Sequence, residues 1–401
     1  MMTKTLKNMI KNFNTSTKKW FILAAIGVVT LASCTKIEDT APPRKITFEK
    51  AIYRPQTKAD GDTISVLGEF HEFKCKAFLH ATNGQDGYFE TQNFFGESGE
   101  TIKPYTTGDV LWTSGPVTYW APSHDYYWPK AKDSYINFVA WYDAKVTPPN
   151  EATERSLKWE NYTVVSTDNL LFADEAWRYK ETPDATYAKD GVTKGVPMLF
   201  HHALAKLCIK ANVTQTEKNN VTGGASLGKT IWEVTLSDIS LGGVYSTGTL
   251  TLSNGDPADD SPAVNTSSTK AWSGAWESSG SKGSYPMADK DSALTTDAVY
   301  LLEMRTVLPQ AVTPDMVLSF DYLIKTKFVP AGQEASTITE YAKEKIHADV
   351  KLSDFSGHIS EWEMNKKITY TVTIDPETEL IKIDPAMVDW IGEEGGSATI
   401  N

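Results

Sequence analysis

Three cysteines in 401 residues are too few for a disulfide framework, so the fold must stand on its core. No H-E-x-x-H, G-x-S-x-G or C-x-x-C occurs, which removes the usual signatures of zinc, serine-hydrolase and thiol-redox chemistry. Basic charge is in deficit: 39 Lys+Arg against 51 Asp+Glu give a net −12, a sign that repels nucleic acid and anionic lipid alike. Helical periodicity is scarce, with Glu151 to Trp159 and Glu340 to Lys345 the best of few candidates. The apolar run within Trp20 to Cys34 is about a dozen residues long, where a membrane-spanning helix needs roughly 20.

That run makes sense as part of a leader. Lys4, Lys7, Lys11, Lys18 and Lys19 precede it without an acidic residue, and it ends in Leu31-Ala32-Ser33-Cys34. A basic start, a short apolar middle and small residues before a cut describe a secretory signal peptide, residues 1–33. The tetrapeptide also matches the bacterial lipobox, which would place a diacylglyceryl group on Cys34 and acylate its new amine. Several acyl chains on one residue give a stable membrane anchor, at about 0.8 kcal/mol per buried methylene. Taking the five leader lysines from the net −12 leaves −17 for the exported chain. Residues 34–45 (Pro42-Pro43 among them) read as a tether. Cys75 and Cys208 either pair outside the cytoplasm or are two buried thiols.

Beyond the tether the apolar pattern has period 2, the mark of half-buried strands. It runs through Tyr135 to Tyr142, Lys206 to Val213, Ile231 to Leu236, Leu318 to Ile324 and Ile368 to Ile374. Threonine, valine and tyrosine dominate these runs, as pleated surfaces prefer. Asn219 to Gly228, Ser253 to Lys270 and Ser278 to Ser284 read as loops between them. The reading is all-β, built of antiparallel sandwiches. A loop at Gly191 to Pro197 divides the chain into 46–195 and 196–401.

Several apparent motifs carry little. Gly223 to Thr230 fits G-x-x-x-x-G-K-[ST] letter for letter. A phosphate cradle needs a helix after the lysine, and Ile231 to Leu236 alternates as a strand instead, so nucleotide binding is rejected. His201 and His202 are neighbours in a strand, point to opposite faces and cannot share a metal. Asp256 to Asp260 lacks the rhythm of a calcium loop, and it and Glu393-Glu394 read as solvated loop charges. The aromatic density of Tyr119 to Trp141 suits a core better than a sugar-binding face.

A set of short stretches resembles the fimbrillin (Mfa-like) lipoproteins of Bacteroidota, the subunits of type V pili. In order they are Trp128-Pro129, Phe138 to Tyr142, Asp168 to Ala173, Phe200 to Lys206, Leu308-Pro309-Gln310, Trp362 with Ile368 to Ile374, and Val388-Asp389-Trp390. The resemblance implies two transthyretin-like β-sandwich domains in tandem, surface export as an outer-membrane lipoprotein, and assembly with other pilin subunits. It also implies removal of a first strand, Ile46 to Tyr53, by a cut after a basic residue. Arg44, Arg54 and Lys58 are the candidates; Pro55 follows Arg54, and Lys58-Ala59 stands where the family often has Thr-Arg-Ala. The donated strand would come from the C-terminus, with Leu380, Ile381, Ile383, Met387, Val388, Trp390 and Ile391 its apolar side chains. An open ladder and an apolar slot on one side, and a free strand on the other, suit each other physically. The alternative is that both segments are ordinary edge strands of a closed monomer.

The function expected from these residues is a non-enzymatic pilus or adhesin subunit. It would need no cofactor, metal or nucleic acid, and would meet a host or bacterial surface ligand. A surface glycan-binding lipoprotein is the first alternative, to be recognised by an exposed row of rings. A secreted glycosidase is the second, to be recognised by two carboxylates facing each other in a cleft. Asp39-Thr40-Ala41, Asp62-Thr63-Ile64 and Asp291-Ser292-Ala293 match a short O-glycosylation pattern.

Overall fold

Tyr135–Asp143 (YINFVAWYD) shows why the alternating runs become strands and what covers them. Ile136, Phe138 and Ala140 enter one apolar cluster, while Val139 and Trp141 enter another on the opposite face. A strand covered on both faces is apolar throughout, which explains the dense aromatic run. In this computed structural model the described residues are 45–48, 52–53, 64–65, 72–80, 92–107, 117–129, 134–145, 147–179, 195–254, 268–287, 289, 293–338, 341–355 and 357–390.

The sheet around Tyr135–Asp143 runs in the order Ile64–Ser65, Ile52–Tyr53, Leu199–His202, Leu170–Ala173, Tyr135–Asp143, Phe73–His80, Glu100–Thr107, Val117–Pro122. Glu175–Tyr179 also pairs with Tyr135–Asp143, and Ser268–Lys270 pairs with Glu175–Tyr179. A second sheet is built on the 29-residue strand Ala225–Ser253. Its first half pairs with Val317–Pro330, and its second half with Ser273–Pro286 and Ser156–Thr163. Ala342–Lys351 lies at the edge, beyond Val317–Pro330. The third sheet has four strands in the order Val299–Val307, Ala205–Val213, Lys366–Ile374, Ile381–Asp389.

Three apolar clusters hold these sheets. One packs Leu207, Ile209, Ile368 and Tyr370 of the four-stranded sheet against Val234, Leu236, Leu318 and Phe320 of the second. Another gathers Phe48, Phe73, Phe138 and Phe200 in the first sheet. The third draws Trp141, Leu157 and Trp159 together with Leu250, Leu252, Leu308 and Trp390. Each such side chain contributes roughly 1.5–3 kcal/mol on burial. The all-β expectation is therefore met, and the sole helical element among the described residues is the 3-10 turn Ala335–Thr337.

Some local expectations are corrected. Glu151 to Trp159 is a tight hairpin, not a helix: Glu151–Ala152 pairs with Ser156–Thr163, and Leu157 and Trp159 are buried at period 2. Glu340 to Lys345 enters the strand Ala342–Lys351, where a ten-residue ladder with Val317–Thr326 overrides the helical tendency of Ala-Lys-Glu-Lys. Ser278 to Ser284 lies inside the strand Ser273–Pro286, with the positive φ of Gly280 beside a register shift. Asn219 to Gly228 folds as a hairpin turning on Gly223-Gly224, both with positive φ as two-residue hairpin turns require. Cys75 and Cys208 are buried thiols with no disulfide between them, and burial pushes the Cys75 thiol well up.

Candidate functional site

The segment Lys45 to Phe48 is held by its side chains and its backbone together. Ile46 and Phe48 are fully buried, and the Phe48 ring meets Phe73, Phe138 and Phe95 edge-on at 5.9, 5.4 and 6.5 Å. Its backbone is bonded on both sides: Lys45 bridges Tyr127, Phe48 exchanges both bonds with Trp120, and Thr47 O accepts Val196 N–H at 2.9 Å. Ile52–Tyr53 continues it, parallel to Leu199–Phe200. The loop that receives it is fixed by Glu100, whose carboxylate accepts bonds from Ser123 Oγ (2.7 Å) and Tyr126 OH (2.8 Å) and meets His124 Nδ1 (2.8 Å). Burial works to raise the Glu100 pKa, but those three partners bring it down below its ordinary value. The Tyr126 phenol is pushed up to about 12 by burial and by Glu100. Tyr126 O in turn accepts Ile46 N–H at 2.8 Å.

The C-terminal strand Ile381–Asp389 is held differently. It forms a nine-residue antiparallel ladder with Lys366–Ile374, from Ile374↔Ile381 to Lys366↔Asp389, and lies at a sheet edge. Ile383 is buried and Ile381 and Met387 are half-buried, while Val388 is exposed and Leu380, in the turn before the strand, is 67 % exposed. Lys366 Nζ pairs with Asp389 at 2.7 Å. The expected donor residues thus sit here in their own chain's sheet. Cys34, Arg44, Arg54, Lys58 and Ile391 lie outside the described residues, as do Asp256 to Asp260 and Glu393-Glu394.

Residues from four of the short stretches singled out in the sequence converge where this strand ends. Trp390 is buried against His202, and Asn169 Oδ1 meets His202 Nδ1 at 3.0 Å. Asp168, next to Asn169, accepts Val165 N–H and the Lys145 ammonium, and Thr306 Oγ1 bonds its carbonyl at 3.0 Å. Gln310 is buried and closes a bond pair with the Tyr245 backbone, accepting its N–H at 2.9 Å and donating to its carbonyl at 3.0 Å. These polar groups are structural: each satisfies a backbone or side chain at the junction of strands. Sequence reading missed Asn365, which has φ 60 and bonds both His202 and Trp390. Its one signal is an Asn in the turn Met364-Asn365 before a strand, since Asn tolerates the left-handed region. It also missed the buried pair Glu175–Asn254; burial, and then the nearby Glu154, push the Glu175 carboxyl well up.

The alternatives lose ground on geometry. Trp120, Tyr135 and Trp141 are buried, Tyr126 and Trp128 pack against the first-sheet core, and Tyr127 is the one exposed ring described in that stretch. His202 is buried, and His201 pairs with Asp174 at 2.8 Å, each on its own face. Among the described residues no group of His, Cys, Asp and Glu could hold a metal ion. No helix among them is long and apolar enough to cross a membrane.

A family model described as fimbrillin-like matches residues 90–390. The chain belongs to the fimbrillin-like family. Solved structures are similar to this fimbrillin-like chain to different degrees. A fimbrial protein from Bacteroides vulgatus is 16% identical, with 86% of this chain and 99% of that one covered and a TM-score of 0.50. The fimbrial anchor protein from Porphyromonas gingivalis is 9% identical over 87% and 99% of the two chains, with a TM-score of 0.28. The tip fimbrial protein of the same organism, truncated at its C-terminus, is 10% identical over 86% and 100%, with a TM-score of 0.29. No curated protein matches the chain.

Proposed function

We propose that this chain is a structural or adhesive subunit of a pilus, without enzymatic activity or cofactor, exported as an outer-membrane lipoprotein through Cys34 and displayed at the cell surface. Proteolysis at Lys58 or Arg54, with Arg44 the third candidate, frees the segment that begins at Ile46. The vacated slot then takes a strand from another pilin subunit, and Leu380 to Ile391 is the strand this chain offers. The reading keeps two tandem transthyretin-like sandwiches, 46–195 and 196–401.

The observation that carries it is the seating of Lys45 to Phe48: Ile46 and Phe48 in the core, and backbone bonds to Trp120 on one side and Val196 on the other. Its departure would leave an apolar slot flanked by freed backbone groups, which another strand can satisfy. Membership in the fimbrillin-like family points the same way.

The test is made in cells. With the intact gene, fibres sheared from the surface should contain the chain with a new N-terminus at Ala59 or Pro55, and a Cys34→Ser variant should be missing from them. Sheared fibres without this chain would overturn the reading.

A further inference from the structure

Along Ile381–Asp389 the outward side chains Lys382, Asp384, Ala386 and Val388 are exposed. Trp390 continues their parity, yet it is only 4 % exposed. At this one place the outer face of the strand meets a second core, with Ala203, Leu204 and Leu308 in the same cluster as Trp390 and Met364 packed against it. The strand is thus held in two cores at once, by Ile383 in one and Trp390 in the other.

The seat for the indole is specific. The Trp390 and His202 rings lie flat on each other, with centroids 3.4 Å apart and planes 5° apart. Lys206 Nζ stands 4.8 Å from the ring centroid, placing a cation on the π-system. Beside the ring, the backbone N–H of Trp390 donates to the Asn365 carbonyl at 2.8 Å, while Asn365 Oδ1 accepts the backbone N–H of His202 at 3.3 Å. The left-handed φ of Asn365 is what lets one residue address both partners. By contrast, among the described residues the strand itself is paired on one side only, and Pro385 within it has no N–H to give.

We propose that Trp390 is the anchor that keeps the C-terminal strand in its own sheet, and that His202 and Lys206 form a receptor for a single indole, with Asn365 fixing the backbone beside it. Filling or emptying that receptor sets how readily Ile381–Asp389 opens. Only the consequence, that an opened strand is the one donated to a neighbour, rests on the pilus reading. Truncating Trp390 leaves an indole-shaped cavity between a ring, a cation and an apolar wall, and added indole is the complementary filler.

The experiment is hydrogen exchange by mass spectrometry on the full exported chain. In Trp390→Ala, amides of Ile381–Asp389 should exchange faster by about tenfold or more, with Phe73–His80 unchanged. Free indole should restore the protection, and Trp390→Phe should fall between. Lys206→Met, which keeps the bulk and removes the cation, should produce a smaller acceleration confined to the same strand. Should the alanine variant fail to fold, the Phe and Met variants decide. Unchanged exchange in Ile381–Asp389 would overturn the proposal, and so would an equal acceleration in Phe73–His80, which would make Trp390 a general core residue. Polymer formation is read separately on a gel, so failure of strand donation would leave this result standing.

Discussion

The two ends of the described fold are held in different ways. Lys45 to Phe48 sinks an aromatic side chain into a cluster of phenylalanines and is bonded through its backbone to Trp120 and Val196 on either side. Ile381–Asp389 has an unbroken nine-residue ladder but keeps half its side chains in solvent. Side-chain burial gives a segment affinity for its slot; a ladder gives it register and direction. A segment with its side chains in a core and its backbone bonded on both sides leaves, once removed, a gap shaped for another strand. A segment with a ladder and little burial can pair with any equivalent edge, unless something pins it.

Truncating the ring that fills the N-terminal slot should break this contrast most severely. Phe48→Ala is expected to cost about 3–5 kcal/mol in urea unfolding, the range for a fully buried phenylalanine. A cost near zero would mean that the bridges, not the ring, hold the segment. At the other end, Ile383→Ala should cost about 2 kcal/mol, near the low end for a buried aliphatic, because an edge strand relaxes around the loss.

Acid should separate the two ends by pH. Burial, then Lys206 and His201, hold the His202 pKa well below its ordinary 6.5. The unfolded chain binds that proton first, so stability is present above 6.5 and declines as pH falls below it. Glu100 is lowered from 4.5, so its contribution is present above that value and is lost as pH falls through its folded pKa. The C-terminal seat should therefore loosen at milder acidity than the N-terminal one. Denaturant midpoints measured across pH should lose the upper window in His202→Gln and the lower one in Glu100→Gln. The smallest effect expected is at Val388, exposed on the outer face: Val388→Thr should stay within about 0.5 kcal/mol of the parent.

The strands were legible in sequence because burial on a pleated surface leaves a period of 2. Ala205–Val213, Val317–Pro330 and Lys366–Ile374 all carry it. The Gly-Lys-Thr of the apparent phosphate loop was correctly discounted, since a strand follows it. What misled was local composition: Glu-Ala-Thr-Glu and Ala-Lys-Glu-Lys favour helix, but long-range ladders decide such segments. Gly/Ser runs likewise read as loops, although Ser273–Pro286 is paired along most of its length with Ala225–Ser253. The seat of Trp390 was legible only as separate fragments. Asn169, His202, Lys206 and Trp390 all lie in stretches that stood out, but 221 residues separate Asn169 from Trp390, and no local pattern encodes that contact.

The central claim is that removal of the segment from Ile46 opens a slot that another subunit's strand fills. It is tested most directly by brief trypsin treatment of the purified chain from Thr35 onward. The product is run unboiled on a denaturing gel beside an untreated sample. The account predicts a ladder of regular steps that appears only after a cut near Lys58. A band trimmed at that position that stays monomeric would contradict it.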